Sequence, residues 1–290
     1  MIRIGIVGAE NSHCAAVARL INVQKKVPGC RVVSVWGERP MWAKNSAERG
    51  EIPEIVKTPA DMVGKVDGVM VDHRHPKFHL SDARPLLEAK IPLFIDKPFC
   101  YRTKEGIEFL ARAKRLKVPV TSFSSVVKSK GFLNFHRDAK KLGAPISVIS
   151  WGSASIKSKY GGVFFYGIHQ LDMVCRLLSN DITHVQFNRG QKNHTVTLLS
   201  SNGAISTVHL ISEGRVPFEV SYVGEKGRLD GMTKVEEPAY LGSTKEWCRM
   251  FKTGKTVETV ESMLTPVAVL EAIEKSVNRK GQRVKVAATS

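Results

Sequence analysis

Short apolar runs alternate with amphipathic stretches along the first part of the chain. The apolar runs predict strands at 2–7, 31–36, 54–57, 66–71, 91–95 and 118–123. The amphipathic stretches, whose apolar residues recur at helical spacing, predict helices at 13–22, 42–48, 80–89 and 104–116. Because parallel strands need crossovers long enough to hold a helix, this alternation predicts a doubly wound parallel sheet of the α/β class.

The pattern becomes mostly β after residue 122. Two alternating runs between 184 and 210 flank Ser201-Asn202-Gly203, and Asn-Gly between such runs predicts a hairpin whose turn residues both tolerate positive φ. Further strands are predicted at 146–151, 218–223 and 283–286, and helices at 168–178, 244–252 and 266–278. We therefore expect two domains, residues 1–122 with the doubly wound sheet and residues 123–290 with an α+β fold and a large, mostly antiparallel sheet.

Composition narrows the class of protein. The hydrophobic fraction of 42% and the charged fraction of 24% are ordinary globular values. No apolar run approaches the ~18 residues that would suggest a membrane span. Met1 leads directly into a strand without a secretory leader, and the five cysteines are scattered, with no C-x-x-C pair. These features predict a cytoplasmic protein without a disulfide framework or a zinc site.

The net charge of +17, from 44 Lys and Arg against 27 Asp and Glu, favours anionic partners. Such partners include nucleic acid, a phosphorylated cofactor and an acidic substrate. The basic residues lie in short clusters, such as Lys25-Lys26 and Lys140-Lys141, without an aromatic-interleaved motif. We therefore interpret them mainly as a solvated surface, with nucleic-acid binding as the less favoured alternative.

The turn after the first strand is typical of a dinucleotide-binding unit, but it is degenerate. Of the pattern G-x-G-x-x-G only Gly8 is present, and Glu10 and His13 occupy the second and third glycine positions. Asn11 and Ser12 are good helix N-caps, and the following helix amides are suited to an anion. Because an inward-facing Glu10 would repel a pyrophosphate, a purely structural turn remains the alternative.

The segment after the second strand bears on the choice between NAD and NADP. In dinucleotide-binding folds an acidic residue usually binds the adenosine ribose at this point of the chain. Here that position is Gly37, and Arg39 follows two residues later. This arrangement slightly favours the 2′-phosphate of NADP. Glu38 is an alternative ribose-binding acid, and an exposed Arg39 without a ligand is the simpler interpretation.

Two further loops follow the fourth and fifth strands. The first is DHRHPKFH at 72–79, and the second is FIDKPF at 94–99. Ligands of open α/β sheets bind beyond the carboxyl ends of strands, so we expect both loops to line one crevice. A metal site from three histidines is conceivable, but Pro76 breaks the strand between them, and we predict no metal. The histidines concerned are His73, His75 and His79.

In the second half, His169 and Asp172 are three residues apart and share one helix face within YGIHQLDMVCRLL. A histidine beside a carboxylate can act as a general base near neutral pH. The alternative is a helix cap with an internal hydrogen bond, which the spacing alone favours.

Taken in order, these motifs resemble the glucose-fructose oxidoreductase/inositol dehydrogenase family, Gfo/Idh/MocA. The resemblance covers nearly the whole chain, from the strand-turn-helix at 2–22 to the G-E-K-G at 224–227. The remaining motifs are His79, Ala83 and Leu86 in H-x-x-x-A-x-x-L, Asp96-Lys97-Pro98, which is similar to the family's E-K-P, Gly167, His169 and Asp172 in G-x-H-x-x-D, and the Asn202-Gly203 hairpin. The resemblance implies a Rossmann-like N-terminal domain that binds NAD or NADP.

By this resemblance, Lys97 hydrogen-bonds the reacting oxygen, His169 takes the hydroxyl proton, and Asp172 helps to position the site. The predicted cofactor-binding residues are Gly8, Asn11, Ser12, Glu38, Arg39, His73, Arg74, Asp96 and Lys97. One departure is Phe165, which stands where the family commonly has an aspartate. Lys157, Lys159 and Tyr160 suggest instead a basic, aromatic pocket for an acidic or aryl-bearing sugar.

The resemblance therefore favours an NAD(P)-dependent oxidoreductase that acts on a secondary alcohol or ketone of a sugar, sugar acid, cyclitol or glycoside. An NAD-retaining lyase, glycosidase or epimerase on the same scaffold is one alternative. A non-catalytic dinucleotide or sugar sensor, motivated by Glu10 and Phe165, is another. The open sheet of the second domain would expose an apolar face, and a homodimer or homotetramer is expected to cover it.

Overall fold

The chain forms two compact units in the computed structural model, which describes residues 1–213, 216–233, 240–256 and 258–289. The first unit consists of Met1–Cys100, Lys104–Phe123 and Glu237–Thr259, and the second of Tyr101–Thr103, Ser124–Glu236 and Val260–Ser290. A single boundary after residue 122 does not describe the segment Glu237–Thr259, which returns to the first unit.

The first unit contains a six-stranded parallel sheet with the strand order β3-β2-β1-β4-β5-β6. Its order reverses between β1 and β4, so the carboxyl ends of these strands open the crevice where ligands of such sheets bind. The predicted doubly wound parallel sheet is thereby confirmed. The strands are β1 Ile2–Val7, β2 Cys30–Trp36, β3 Glu54–Ile55, β4 Gly68–Val71, β5 Leu93–Ile95 and β6 Val120–Thr121.

Four helices connect these strands, and all four were predicted with small shifts in their ends. They are α1 Ser12–Ala18, α2 Pro40–Gly50, α3 His79–Glu88 and α4 Thr103–Leu116, and α1 continues as a π-helical turn over Arg19–Val23. Several strands are shorter than predicted. Val66, Ile91 and Val118 are buried but precede the hydrogen-bonded ladder, because an apolar run reports burial rather than strand pairing.

A helix from late in the chain, α7 at Leu241–Thr253, packs against the first sheet. The Trp247 ring stacks on Phe94 with centroids 5.5 Å apart, and Phe251 lies over Gly68. A Cβ at Gly68 would overlap the Phe251 ring, so the glycine makes room for it. Three aromatic rings and one glycine therefore attach this helix to the sheet.

The second unit is built on a seven-stranded sheet with the order β12-β11-β7-β10-β9-β8-β13. Only the β7/β10 pair is parallel, which confirms the prediction of a mostly antiparallel sheet. Its strands are β7 Pro145–Ser153, β8 His184–Arg189, β9 His194–Leu199, β10 Ile205–Ile211, β11 Phe218–Gly224, β12 Gly227–Thr233 and β13 Val284–Lys285. Its helices are α5 Lys130–Lys140, α6 Phe164–Leu177 and α8 Val260–Asn278.

The second unit differs from its prediction in several places. Helix α5 and strand β12 were not predicted, and the segment around 184–211 holds three strands rather than two. Helix α8 runs through Pro266, which we had placed at its start; proline here is buried within the packed helix. In the hairpin turn only Gly203 has positive φ, while the Asn202 side chain accepts a hydrogen bond from the Ala204 N–H.

No helix within the described part of the chain has the length and apolar character needed to cross a bilayer.

Replacement of the buried Trp247 by alanine tests the attachment of α7. We expect Trp247→Ala to lower the free energy of unfolding by about 3–5 kcal/mol, the usual cost of a large cavity. Met41→Ala, at a side chain that is 67% exposed, is the control and should change it by less than about 0.5 kcal/mol. Urea unfolding followed by circular dichroism measures both. Equal stability of the two variants would contradict the packing described here.

Candidate active site

The turn between β1 and α1 needs glycine at its first position. Gly8 has φ +104°, and a Cβ there would approach the carbonyl carbon of Asp72 to 2.8 Å and its oxygen to 2.9 Å. Other residues would therefore strain the backbone and push the loop after β4 away. Gly8 thus provides both the turn and the close approach of two strand ends.

The carboxylate of Glu38 binds the same turn from the end of β2. Its Oε2 accepts hydrogen bonds from the N–H groups of Ala9, at 2.9 Å, and Glu10, at 3.1 Å. Its Oε1 lies 2.8 Å from Nδ1 of His73, whose Nε2 lies 3.1 Å from Asp82 Oδ2. A single carboxylate therefore connects the segments that follow β1, β2 and β4.

The charges of this network support one another. Burial alone would raise the pKa of Glu38, but hydrogen bonds from His73 and from the Ala9 N–H lower it to about 2. Burial alone would lower the pKa of His73, but Asp82 and Glu38 raise it overall. Glu38 is accordingly ionised at neutral pH, and a protonated His73 is favoured by the two acids beside it.

A second polar cluster lies beneath the turn. The amide of Asn11 donates to Asp72 Oδ1 at 2.8 Å and to Asp96 Oδ2 at 3.3 Å. Nδ1 of His13 lies 3.0 Å from the same Asp96 oxygen and 3.7 Å from Asp72 Oδ1. The residue at the third glycine position thus directs its ring to a buried acid.

The two aspartates of this cluster carry different charges. Burial and the neighbouring Asp96 raise the pKa of Asp72 well above its ordinary value. Burial also opposes ionisation of Asp96, but the charge and hydrogen bond of His13 lower its pKa overall. Asp72 therefore holds a proton while Asp96 is ionised. Oδ2 of Asp72 is buried and has no hydrogen-bond partner among the described residues.

Lys97 belongs to this buried cluster. It lies two residues beyond β5 and is 7% exposed. Its charge opposes the rise in the pKa of Asp72 and contributes to the low pKa of Asp96. Ligand atoms of His13, Asp72 and Asp96 all lie within 4.8 Å of one another, a grouping that sequence analysis did not identify. Because the Lys97 charge and the Asn11 amide already serve these acids, we interpret the cluster as a hydrogen-bonding network.

The histidines considered for a metal are used by the protein in other ways. His73 lies between Glu38 and Asp82, and His75 accepts the Lys77 N–H at 3.2 Å. Both ring nitrogens of His79 lie 2.9 Å from carbonyl oxygens, those of Pro98 and His73. Burial lowers the pKa of His79 to about 4, whereas the two carbonyl contacts act in the opposite direction.

Three other predicted cofactor residues lie nearer the surface. Ser12 is the exposed first residue of α1, and Arg74 is half-buried in the loop after β4. Arg39 precedes α2, is exposed, and its guanidinium lies 5.0 Å from the ring centroid of Trp42. The residue that favoured NADP in the sequence is thus stacked on its own helix.

His169 and Asp172 are both buried in α6 of the second unit, and Ser124 connects them. Nδ1 of His169 lies 2.7 Å from the Ser124 hydroxyl. Oδ2 of Asp172 accepts the Ser124 backbone N–H at 2.8 Å, and its Oδ1 lies 2.8 Å from Nε of Arg176. Ser124 was missed by sequence analysis, although its place just after β6 is where functional side chains of α/β folds occur.

Aromatic side chains surround His169 in the second unit. The Phe218 ring lies 5.0 Å from His169 between centroids, and Tyr166 lies at 5.9 Å. Phe165, which replaces the family's usual carboxylate, contacts Tyr160 at 4.8 Å between centroids, and Nζ of Lys159 lies 5.0 Å from the Tyr160 ring. This part of the unit is therefore aromatic with a cation at its edge.

Comparison with known proteins shows which family the first part of the chain matches. Residues 2–123 match the family model described as "Oxidoreductase family, NAD-binding Rossmann fold", that of Gfo/Idh/MocA. No curated protein matches the chain.

Similar solved structures extend over the whole chain. One is myo-inositol dehydrogenase from Lactobacillus casei in complex with NAD(H) and myo-inositol, with TM-score 0.86 and 15% identity over 100% of this chain and 98% of that one. Scyllo-inositol dehydrogenase from the same organism, with bound NAD(H) and scyllo-inositol, gives 0.85 and 15% over 99% and 100%. Myo-inositol 2-dehydrogenase from Lactobacillus plantarum gives 0.83 and 15% over 99% of each chain. At this identity, these similarities show a shared fold.

The turn residues fit the dinucleotide that this family implies. Gly8 keeps the close approach of strand ends that a nucleotide needs, and Glu38 presents an ionised carboxylate at the turn, where a ribose-binding acid belongs. The Asn11 side chain makes no capping hydrogen bond to α1 and is directed instead to the aspartates. Residues 2–123 thus match the Gfo/Idh/MocA oxidoreductase family with its NAD-binding Rossmann fold, both in sequence and in the strand order of the first sheet.

Proposed function

We propose that this protein is an NAD-dependent oxidoreductase that acts on a secondary alcohol, or the matching ketone, of a cyclitol or sugar-like substrate. The observation that carries the proposal is the buried Lys97 beyond β5, in a domain matched by an NAD-binding oxidoreductase family. The inositol dehydrogenases of similar fold support a cyclitol or related polyol as the substrate class.

The position of Glu38 supports NAD rather than NADP as the cofactor. An ionised carboxylate accepts hydrogen bonds from ribose hydroxyls, whereas it repels a 2′-phosphate. Arg39, which would serve that phosphate, is stacked on Trp42. We therefore depart from the slight preference for NADP that Gly37 and Arg39 gave in the sequence.

The chemistry assigned to this chain is binding and proton transfer. The bound nicotinamide would accept or supply the hydride. In our proposal Nζ of Lys97 donates a hydrogen bond to the reacting oxygen, and the His169 ring takes or returns the hydroxyl proton. Asp172 and Ser124 act as positioning residues, since Asp172 holds the Ser124 backbone and the Ser124 hydroxyl holds Nδ1 of His169.

The aromatic residues of the second unit refine the expected substrate. Phe165 removes a carboxylate that could bind substrate hydroxyls, and its ring contacts Tyr160 and Tyr166. Apolar faces with Lys159 at their edge suit an aryl-bearing or acidic sugar better than a plain polyol. We propose that class as the more specific substrate.

We also propose that the protein forms a homodimer or homotetramer through the second sheet. One face carries Trp151 stacked on His209, with ring centroids 5.4 Å apart, beside Ile149 and the 56% exposed Ile205. Burial of such a face against a second copy would remove apolar surface from water. A cytoplasmic setting agrees with the five cysteines, all of which are free thiols.

Removal of either proposed catalytic group tests the reaction. Lys97→Met and His169→Gln should each lower kcat/KM with NAD⁺ by about 10²–10⁴-fold, the range of general acid-base catalysis. Lys141→Met, at a side chain that is 69% exposed, is the control and should leave it unchanged. The assay follows NADH formation with myo-inositol, scyllo-inositol and aryl glycosides. Substrate loss without net NADH would instead support the NAD-retaining lyase.

Cofactor choice gives a second test. Wild-type protein should bind NADH at least about tenfold more tightly than NADPH, a difference of about 1.4 kcal/mol. Glu38→Gln should narrow this ratio because it removes the charge that repels a 2′-phosphate. Glu48→Gln, at a side chain that is 66% exposed, is the matched control. Fluorescence titration measures each affinity. Equal or tighter binding of NADPH by wild type would refute the assignment, and binding of neither would favour a sensor of another ligand.

The pH dependence of stability tests the Glu38–His73 contact without any ligand. The pKa of His73 is raised above its ordinary 6.5, so its pairing with Glu38 contributes fully below that pH and is lost as the pH rises through the folded-state pKa. Glu38→Gln should therefore lower the free energy of unfolding more at about pH 6 than at about pH 9. The expected decrease at the lower pH is about 1–3 kcal/mol. Glu38, whose pKa is about 2, stays ionised at both. A penalty independent of pH, measured by urea unfolding, would disprove the pairing.

A further inference from the structure

Two cysteines of the first unit lie near one another, away from the turn. Cys30 is the first residue of β2, and Cys248 lies in α7. Each thiol shifts the pKa of the other, so their side chains are neighbours. They are 218 positions apart in the sequence (248 − 30) and meet because α7 packs on the first sheet.

The surroundings of Cys30 are open and positively charged. Cys30 is 8% exposed and lines a surface cavity with Asn22, Lys25, Arg31 and Glu51. Nζ of Lys252 donates to the Pro28 carbonyl at 2.9 Å, which holds its charge near the cysteine. Two basic side chains in the lining, Lys25 and Arg31, and Lys252 nearby outnumber the one acid, so the cavity is suited to an anionic ligand.

The same surroundings favour the thiolate form of Cys30. The neighbouring Cys248 thiol and the charge of Lys252 lower the pKa of Cys30, against the opposing effect of burial. They therefore favour the thiolate, which is the nucleophile in disulfide exchange. Cys248 differs, since it is 1% exposed, and burial and the Cys30 thiolate raise its pKa.

The three remaining cysteines lack this combination. Cys14, Cys100 and Cys175 are at most 1% exposed, and burial raises the pKa of Cys14 and Cys175. Cys30 is the one cysteine of the chain that lines this cationic cavity and has a second thiol in contact.

We propose that Cys30 is a redox modification site for small anionic disulfides, such as oxidised glutathione, and that Cys248 is its resolving thiol. The cationic cavity binds the carboxylates of the incoming disulfide and brings its sulfur to Cys30. This site is separate from the proposed hydride-transfer chemistry, and it does not depend on the proposed function.

The chemistry balances without any group beyond the incoming disulfide. The Cys30 thiolate attacks one glutathione sulfur, so that a Cys30–glutathione bond forms and a glutathione thiolate leaves and takes a proton. Cys248 then loses its proton and attacks the Cys30 sulfur, which releases the second glutathione thiolate. Two protein thiols are oxidised to one disulfide, and one oxidised glutathione is reduced to two thiols. The new bond joins the start of β2 to α7.

Mass spectrometry of the intact, full-length protein tests this proposal. The reduced protein is incubated with oxidised glutathione near neutral pH, quenched with acid and digested without reductant. Wild type should lose about two mass units, one hydrogen from each thiol, and give a peptide linking Cys30 to Cys248. Cys248→Ser, which keeps an O–H donor for Cys30, should instead accumulate one glutathione on Cys30. Lys252→Met should slow either reaction several-fold, because it removes the nearest cation.

Controls separate this site from general thiol reactivity. Cys30→Ser should take up no glutathione over the same period, whereas Cys100→Ala should behave as wild type. A first adduct on Cys14, Cys100 or Cys175 would overturn the proposal, as would equal reactivity of Cys30→Ser and wild type. A stable Cys30–glutathione adduct in wild type would overturn the role of Cys248. The linked peptide is read from wild type alone, so a variant that fails to fold does not weaken the test.

Discussion

The carboxylate of Glu38 is the interaction on which the first unit's site depends. It accepts two backbone N–H groups from the turn after β1 and an imidazole from the loop after β4. Three strand ends that meet only through the fold are thereby fixed relative to one another. A turn that retains one glycine of the usual three would otherwise rely on Gly8 alone for its shape. The missing glycines are thus compensated by a side chain from the next strand.

Acidic side chains gather at this site although the chain as a whole is basic. The protein carries +17 overall, yet Glu38, Asp72 and Asp96 follow the carboxyl ends of parallel strands, and Asp82 of α3 joins them. They coexist because each contacts a histidine or holds a proton. His73 lies between Glu38 and Asp82, His13 serves Asp96, and Asp72 is protonated. Net charge therefore describes the solvated surface, and it says little about which ligand the crevice accepts.

The sequence predicted correctly those features that depend on a regular spacing of apolar residues or on a short motif. The alternation of strands and helices was enough to predict the doubly wound sheet, and the order of short motifs was enough to predict the family whose model matches residues 2–123. It failed for strand β12, whose GRLDGMT has few apolar residues and pairs with β11 through its backbone. It also left both Glu38 and Arg39 as candidates to meet a cofactor. Arg39 lies beside Trp42 and Glu38 contacts His73, and neither contact can be read from the sequence.

His169 is connected to Asp172 in a way that its spacing along the helix did not indicate. Spacing of three along a helix suggested a histidine directly served by Asp172, as in a general-base pair. Instead both oxygens of Asp172 are bound, one by the Ser124 N–H and the other by Arg176, and the hydroxyl of Ser124 meets Nδ1 of His169. A hydroxyl can donate or accept a hydrogen bond, whereas a carboxylate only accepts and favours the imidazolium. The Ser124 hydroxyl can therefore face either protonation form of the ring, which agrees with the proton transfer that we propose for His169.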